Sequence, residues 1–169
     1  MDALLIITGS MGSGKTTVLY EASDILAARD VPHASIDLDA LGMAHLSSSV
    51  RDKGLLYRNL RSLWENYAHV GLRRLLLARA IENRAELECC REAVSATKVV
   101  ICRLTASMKT MQERVQSRET GTLRDRYVAR VAELNAILDH AHLEDSSLLN
   151  ENRSVTEIAN EILVRARWL

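Results

Sequence analysis

The sequence predicts an α/β fold in which five parallel strands form a doubly wound sheet between two layers of helices. Short apolar segments alternate along the chain with longer amphipathic segments of helical period. The first apolar segment runs directly into a glycine-rich loop and then into a helical pattern. Alternating strands and helices favour parallel strands joined by crossover helices, with helices on both faces of the sheet.

Each predicted element has its own sequence signal. Apolar or β-branched runs bounded by Gly, Ser, Asp or Asn predict strands, and apolar residues spaced three and four apart predict helices. Pro32, the only proline, separates the first helix from the second strand. Ser107 and Ser154 are placed to cap helices, the latter with Glu157 in a capping box. The predicted strands are 3–8, 33–37, 73–79, 98–104 and a weak 146–150, and the predicted helices are 15–29, 55–70, 82–94, 108–118, 123–140 and a last one after Ser154.

Size and composition predict one globular domain over residues 1–169. Hydrophobic residues make up 47% and charged residues 26% of the chain, values typical of a globular protein with its own core. The formal net charge is zero, which argues against nucleic acid as the main partner. No signal-peptide pattern and no apolar run of about 20 residues is visible, so we expect a cytoplasmic protein without a membrane-spanning segment.

The three cysteines do not form a metal-binding pattern. Cys89 and Cys90 are adjacent on a predicted helix, and Cys102 lies alone in a predicted strand. Zinc sites require paired ligands at characteristic spacings. We therefore expect three reduced thiols that serve as small apolar side chains.

The glycine-rich loop carries the most specific motif. Residues 9–16, GSMGSGKT, match the phosphate-binding pattern G-x-x-x-x-G-K-[ST] between a strand and a helix. Its glycines let the backbone approach phosphate closely, and the loop N–H groups together with the helix N-terminus form an anion site. Lys15 would reach the β- and γ-phosphates, Thr16 would ligate Mg²⁺, and Thr17 would add a further phosphate contact.

Two acids follow the second predicted strand. Asp37 ends that strand and Asp39 lies two residues beyond, so both can face the crevice at the carboxyl ends of the strands. One carboxylate could hold a phosphate-bound Mg²⁺ while the other takes the proton of an attacked hydroxyl. The alternative is an acidic turn that caps the following helix, especially at Asp39.

Arginines after the fourth strand and at the end of the third could bind anionic groups. A transferred phosphoryl group needs fixed cations, and Arg supplies planar, bidentate donors. The alternative is solvated helix faces paired with Glu113, Glu119, Asp125 and Glu133. Arg79, which ends the third strand, could bind the acceptor or instead pair with Glu82. The arginines after the fourth strand are Arg114, Arg118, Arg124, Arg126 and Arg130.

Together the loop, the acids and the arginines resemble those of small P-loop kinases such as shikimate, gluconate and adenylyl-sulfate kinases and chloramphenicol phosphotransferase. The resemblance implies a nucleotide kinase-like P-loop fold. In shikimate kinase-like members it makes Asp37 the metal-side acid and Asp39 the substrate-side base, whereas in chloramphenicol phosphotransferase-like members a single strand-end acid is the base, which favours Asp37. It also implies that Arg114 stacks on adenine and that Arg118 enters a lid, by likeness to adenylate kinase-type enzymes.

We therefore expect an ATP- and Mg²⁺-dependent phosphotransferase that acts on a small-molecule hydroxyl or similar acceptor, as a monomer or homodimer. A mobile acceptor-side segment at about 40–70 and a lid at about 114–130 would cover the site. The residues assigned to nucleotide are Gly9, Met11, Gly12, Ser13, Gly14, Lys15, Thr16, Thr17, Arg114 and Arg153. The residues assigned to the reaction are Lys15, Asp37, Asp39 and Arg118 for catalysis, Thr16 and Asp37 for the metal, and Asp39 and Arg79 for the acceptor.

A nucleotide-binding regulatory or accessory protein is the competing interpretation. The third predicted strand ends in Ala78-Arg79 and lacks the acidic end of a strong Walker B motif, which favours this alternative. The acids Asp37 and Asp39 argue against it. No N-K-x-D signature is present, so a GTPase is disfavoured.

Overall fold

The apolar segment Ala3–Thr8 forms strand β1 at the centre of a parallel sheet. The computed structural model describes residues 2–42, 52 and 54–169. Within them the strand order is β2-β3-β1-β4-β5, with every pairing parallel. The other strands are β2 (Ala34–Asp37), β3 (Arg74–Ala78), β4 (Lys98–Thr105) and β5 (Ser146–Leu149).

Helices cover both faces of this sheet, which confirms the three-layer α/β architecture. Alternate residues of β1 point to opposite faces. Leu5 and Ile7 pack with α1 and α7, whereas Leu4 and Ile6 pack with α3 and α4. The helices are α1 (Lys15–Ala28), α2 (Leu38–Leu41), α3 (Leu55–His69), α4 (Arg84–Val94), α5 (Met108–Arg118), α6 (Arg124–Ala141) and α7 (Val155–Arg165).

The predicted helix caps are confirmed. Ser107 accepts a hydrogen bond from the backbone N–H of Thr110 at the start of α5. Ser154 and Glu157 form both halves of a capping box at the start of α7. These caps satisfy N–H groups that have no partner within the helix.

The turn after β2 differs from expectation. The chain enters the single-turn helix α2 directly at Leu38, and Asp37, not Asp39, caps it by accepting from the N–H groups of Asp39 and Ala40. Asp37 keeps the extended backbone of a strand end (φ −84°, ψ 105°), the conformation of an N-cap residue. Most of the segment between α2 and α3, which the sequence predicts to be mobile, lies outside the described residues.

The strand register brings the chemistry-bearing residues to one edge of the sheet. Asp37 pairs with Ala78, Ala78 with Ile7, and Ile7 with Cys102. The carboxyl ends of these strands are therefore level. Asp37, Arg79 and the glycine-rich loop after β1 all lie at this edge.

Helices α5 and α6 form a separate layer over this edge. Met111 and Val115 of α5 pack with Val131 of α6, and Met11 of the glycine-rich loop lies against the same cluster. Leu134 of α6 packs with Ala80, which follows β3. Helices α5 and α6, which include most of the predicted lid at about 114–130, thus contact both the loop after β1 and the chain after β3. The lid itself stays a prediction.

No helix of the described residues is long and apolar enough to cross a membrane. All three cysteines are free. Burial raises the pKa of Cys90 to about 12 and also raises the pKa of Cys102. Both thiols are therefore protonated near neutral pH, as expected of small apolar core residues.

One buried ion cluster holds α6 against the sheet. The Arg103 side chain, from β4, is 4% exposed and pairs with Asp139 of α6 at 2.6 Å and with Glu144 at 3.3 Å. Its terminal nitrogen also donates to the side chain of Asn135. Because a buried guanidinium is costly unless it is paired, these contacts fix the carboxyl-terminal half of α6.

We expect Arg103→Ala to lower the free energy of unfolding by about 3 kcal/mol, because it leaves the carboxylate of Glu144 buried without its guanidinium partner. Urea denaturation followed by circular dichroism measures this change. Arg91→Ala is the matched control, since Arg91 pairs with Glu88 on an exposed helix face, and it should change stability by less than about 0.5 kcal/mol. Equal losses in the two variants would contradict a special role for the Arg103 cluster.

Candidate functional site

A cavity of about 770 Å³ opens at the carboxyl edge of the sheet, between the strand ends and the helices α5 and α6. It brings together most of the residues singled out in the sequence. Those that line it are Met11, Gly12, Gly14, Lys15, Thr16, Thr17, Asp37, Asp39, Arg79, Arg114 and Arg118.

The carbonyl groups of the glycine-rich loop are bound by donors from several elements. Lys15 Nζ donates to the Ser10 carbonyl at 3.1 Å, and Arg114 donates to the Gly12 carbonyl at 3.2 Å. Asn150, just after β5, donates through its side-chain amide to the Ser13 carbonyl at 2.8 Å. Because these peptide oxygens are held by the protein, the loop conformation is fixed without a ligand.

The amino end of α1 is built to receive an anion. Its N-cap is Gly14 in the left-handed conformation (φ 95°), and no side-chain cap occurs there within the described part of the chain. By contrast, Asn83, Ser107 and Ser154 cap α4, α5 and α7 with their side chains. The first-turn N–H groups of a helix have no partner within it, and they carry the positive end of the helix dipole. At α1 this end faces the cavity.

Lys15 adds a cation to the anion site. Burial lowers the pKa of Lys15, and the nearby carboxylates of Asp39 and Asp37 raise it in part. Its ammonium donates to a neutral carbonyl. A partly buried cation that forms no ion pair with the described carboxylates is ready to bind an anion, which would stabilise its charged form.

Thr16 and Asp37 form an oxygen pair beside the loop. The Thr16 hydroxyl donates to Oδ2 of Asp37 at 2.6 Å, while Oδ1 of Asp37 accepts from the cap N–H groups of α2. Mg²⁺ prefers oxygen ligands and commonly takes only one or two from the protein, the others coming from phosphate and water. This donor pair fits Mg²⁺. No cluster of three or more His, Cys, Asp or Glu side chains is present among the described residues.

The Asp39 carboxylate forms an ion pair with Arg79 and does not cap α2. Arg79 contacts Oδ1 of Asp39 at 2.5 Å and Glu86 at 3.8 Å. Burial lowers the pKa of Arg79, but Asp39 and Glu86 raise it, and the net direction is upward. The suggested alternative pairing of Arg79 with Glu82 does not occur, since Glu82 binds Arg130 across the cavity at 3.0 Å.

The arginines after β4 divide into two groups. Arg114, Arg118 and Arg130 line the cavity, whereas Arg124 and Arg126 do not. Arg114 donates to the carbonyls of Gly12 and Asn150 instead of pairing with a carboxylate. Arg118 pairs with its neighbour Glu119 at 2.9 Å and is 61% exposed.

Three residues assigned to nucleotide do not line the cavity. Gly9 and Ser13 lie beneath the loop surface, and a Cβ at Gly9 would approach Ser13 Oγ and the Leu104 carbonyl within 2.5 Å. The Ser13 backbone N–H donates to the Ser10 carbonyl. Arg153 pairs with Glu161 of α7 at 2.6 Å. A role for Arg153 in binding nucleotide stays a prediction.

Several contacts of the site were not anticipated from the sequence. Asn150 holds the loop, Glu82 binds Arg130, and Tyr127 of α6 lines the cavity. The position of Asn150 directly after a strand was an available signal, because such residues reach the carboxyl edge of the sheet. No signal in the sequence pairs Glu82 with a residue 48 positions away.

Known structures share this fold. A sugar kinase from a Janibacter species aligns with a TM-score of 0.65 and 16% identity, covering 97% of this chain and 94% of its own. APS kinase from Mycobacterium tuberculosis, in complex with AMPPNP and APS, aligns with a TM-score of 0.65 and 19% identity over 99% and 98%. A gluconokinase from Sinorhizobium meliloti aligns with a TM-score of 0.62 and 17% identity over 98% and 92%.

These likenesses confirm, for the fold, the resemblance to small-molecule P-loop kinases. No family model and no curated protein matches the chain by sequence. At identities this low, the structural alignments show a common fold and nothing more. The chemistry has to be argued from the cavity itself.

We expect Gly14→Ala to destabilise the protein by about 1–3 kcal/mol, because Gly14 has φ 95° and an added Cβ would overlap the side-chain amide of Asn150. Gly121→Ala is the matched control, since no atom lies within 4 Å of its added Cβ and its φ is not positive, and it should stay within about 0.5 kcal/mol. Thermal and urea unfolding measure both variants. A Gly14→Ala protein as stable as the control would mean that the loop relaxes freely.

Proposed function

We propose that this chain is an ATP-dependent phosphotransferase that moves the γ-phosphoryl group to the hydroxyl of a small molecule. The observation that carries the proposal is the convergence, in one cavity, of an anion site at the start of α1 with the acids after β2 and an arginine after β3. An anion site alone supports nucleotide binding. A carboxylate in the same cavity that can accept a hydroxyl proton supports transfer to a second substrate.

The donor end of the reaction falls to the loop and α1. Backbone N–H groups at the start of α1 and the ammonium of Lys15 would bind the phosphates of ATP. Thr16 and Asp37 would hold Mg²⁺, which neutralises phosphate charge when bound. Arg114 and Arg118 line the same cavity and would stabilise charge that spreads over the transferred group.

Different contacts support different roles for the two acids. Both oxygens of Asp37 are engaged, one by Thr16 and one by the cap of α2, which suits a fixed metal-side carboxylate. Asp39 uses Oδ1 for Arg79, and its Oδ2 has no hydrogen-bond partner among the described residues. Its side chain is 53% exposed, so an acceptor can reach it.

The proposed step transfers one proton and one phosphoryl group. The acceptor hydroxyl gives its proton to Asp39 while its oxygen bonds to the γ-phosphorus, and the bond from that phosphorus to the bridging oxygen of ADP breaks. Arg79 positions the Asp39 carboxylate for this transfer. The products are ADP and a phosphate monoester of the acceptor.

A regulatory nucleotide-binding protein is the second candidate. It is favoured by the end of β3, where Ala78 and Arg79 stand in place of an acid. An ADP-release assay with a panel of hydroxyl-bearing metabolites separates the two. Acceptor-dependent ADP formation supports the kinase, and nucleotide binding unaffected by every acceptor supports the regulatory protein.

We expect Lys15→Met to weaken Mg·ATP binding by about 10- to 100-fold, because it removes a charge-assisted hydrogen bond worth about 1.5–3 kcal/mol. Isothermal titration calorimetry measures the affinity. Lys98→Met is the matched control, since Lys98 is an exposed residue at the opposite edge of the sheet, and its affinity should match that of the unaltered protein. Unchanged binding by Lys15→Met would rule out the proposed phosphate site.

We expect Asp39→Asn to lower the acceptor-dependent kcat by about 10²- to 10⁴-fold, because an amide cannot take the hydroxyl proton. Nucleotide affinity should not fall, since the substitution removes a negative charge near Lys15 and no proposed phosphate contact. Coupled ADP-release kinetics and calorimetry measure the two effects separately. Asp24→Asn, on the exposed face of α1, should keep full activity. A fully active Asp39→Asn enzyme would exclude Asp39 as the base and redirect attention to Asp37.

A further inference from the structure

We propose that the acceptor is an uncharged polyhydroxy compound, an inference that rests on the phosphotransferase proposed above. It follows from how the charged side chains of the cavity are paired. All of these side chains line one cavity. On the proposed function we assign Lys15, Arg114 and Arg118 to its donor half. We assign Asp39 and Arg79 to its acceptor half, together with Glu82, which follows β3 as Arg79 does, and Arg130, which binds Glu82. The cations of the two halves differ in their hydrogen-bond and ion-pair partners.

In the donor half two of the cations bind neutral groups, whereas the third, Arg118, pairs with its neighbour Glu119. Lys15 donates to the carbonyl of Ser10, and Arg114 donates to the carbonyls of Gly12 and Asn150. Neither makes an ion pair with a carboxylate of the described residues. Their positive charge remains available for a polyanion, which is what a nucleoside triphosphate presents.

Two described arginines of the acceptor half, Arg79 and Arg130, each lie between two carboxylates. Arg79 contacts Asp39 at 2.5 Å and Glu86 at 3.8 Å. Arg130 contacts Glu82 at 3.0 Å and Glu133 at 2.5 Å. Their positive charges are therefore already balanced by the protein.

An anionic acceptor would be disfavoured in this half. To bind Arg79 directly it would have to displace Asp39, the residue proposed to take its proton, or share the guanidinium with two carboxylates. Like charges brought together in a partly exposed site repel one another. An ammonium-bearing acceptor meets the reverse difficulty, because Arg79 and Arg130 both line the cavity.

Hydroxyl groups are suited to bind beside a carboxylate that is already paired with a guanidinium. A hydroxyl donates one hydrogen bond and accepts others, so it can donate to a carboxylate and accept from the adjacent guanidinium. The Asp39–Arg79 pair and the Glu82–Arg130 pair both face the cavity. Two such pairs can bind more than one hydroxyl of the same molecule, which is why we infer a polyhydroxy acceptor.

The test compares acceptors that differ only in charge. For several stereochemical configurations, ADP release from Mg·ATP is measured with the neutral hexitol, the corresponding hexonate and the corresponding amino-hexitol. We expect kcat/KM for the preferred neutral compound to exceed that of its charged counterparts by at least roughly tenfold, equivalent to about 1.4 kcal/mol.

A variant of Glu86, the second carboxylate beside Arg79, tests whether ion pairing causes the preference for a neutral acceptor. Glu86→Gln removes a negative charge beside Arg79, and its amide oxygen can still accept from the N–H of Glu82. We expect the hexonate-to-hexitol ratio of kcat/KM to rise roughly tenfold (about 1.4 kcal/mol), because among the described residues Asp39 is then the one carboxylate left beside Arg79. Glu88→Gln, on the same helix and paired only with Arg91, should leave that ratio unchanged.

The possible outcomes separate the inference of an uncharged acceptor from the proposed phosphotransferase activity. Preference of the unaltered protein for a hexonate or an amino-hexitol would overturn the uncharged acceptor while leaving the phosphotransferase intact. ADP formation with no member of any charge would count against both. An unchanged ratio in Glu86→Gln, in a folded protein by circular dichroism, would contradict the proposed effect of ion pairing.

Discussion

The architecture of the site depends on a glycine-rich loop whose backbone carbonyl groups accept hydrogen bonds from side chains of the neighbouring elements. Lys15, Arg114 and Asn150 come from α1, α5 and the end of β5, and each donates to a different carbonyl of the loop. A fourth contact, from Ser10 Oγ to the Val131 carbonyl of α6, ties the loop to the helical layer above it. The peptide oxygens of Ser10, Gly12 and Ser13 are thus satisfied before any ligand binds, and the N–H groups at the start of α1 face the cavity.

Hydrogen bonds at and beside this loop also fix the positions of charged side chains from the surrounding elements. Because Arg114 is held by two backbone carbonyls, its guanidinium is fixed in position without being neutralised. Asp37 is fixed in a similar way by Thr16 and by the cap of α2. Preorganised groups of this kind lose little conformational entropy on binding. Asp39 and Arg79, in contrast, contact each other, and Glu86 contacts Arg79 at 3.8 Å, so fewer hydrogen bonds fix their arrangement.

Local sequence patterns predicted the elements and most of the residues that line the cavity, whereas distant pairings could not be predicted. The motif of residues 9–16, the caps at Ser107 and Ser154 and the acids after β2 are each encoded within a few residues. The Glu82–Arg130 pair and the Asn150 contact join residues 48 and 137 positions apart. Whether Asp37 or Asp39 caps α2 depends on where β2 ends, and a shift of one or two residues in a strand boundary changes the answer.

Three arginines show why residue type alone does not assign a role. Arg103 is 4% exposed and surrounded by Asp139, Glu144 and Asn135, so its charge serves to hold α6. Within the described part of the chain Arg114 has only neutral carbonyls as partners, so no carboxylate there balances its charge. Arg79 lies between two carboxylates at the cavity wall and can share hydrogen bonds but has little charge to offer an anion. The partners around each guanidinium, more than its place in the sequence, separate structural from ligand-binding roles.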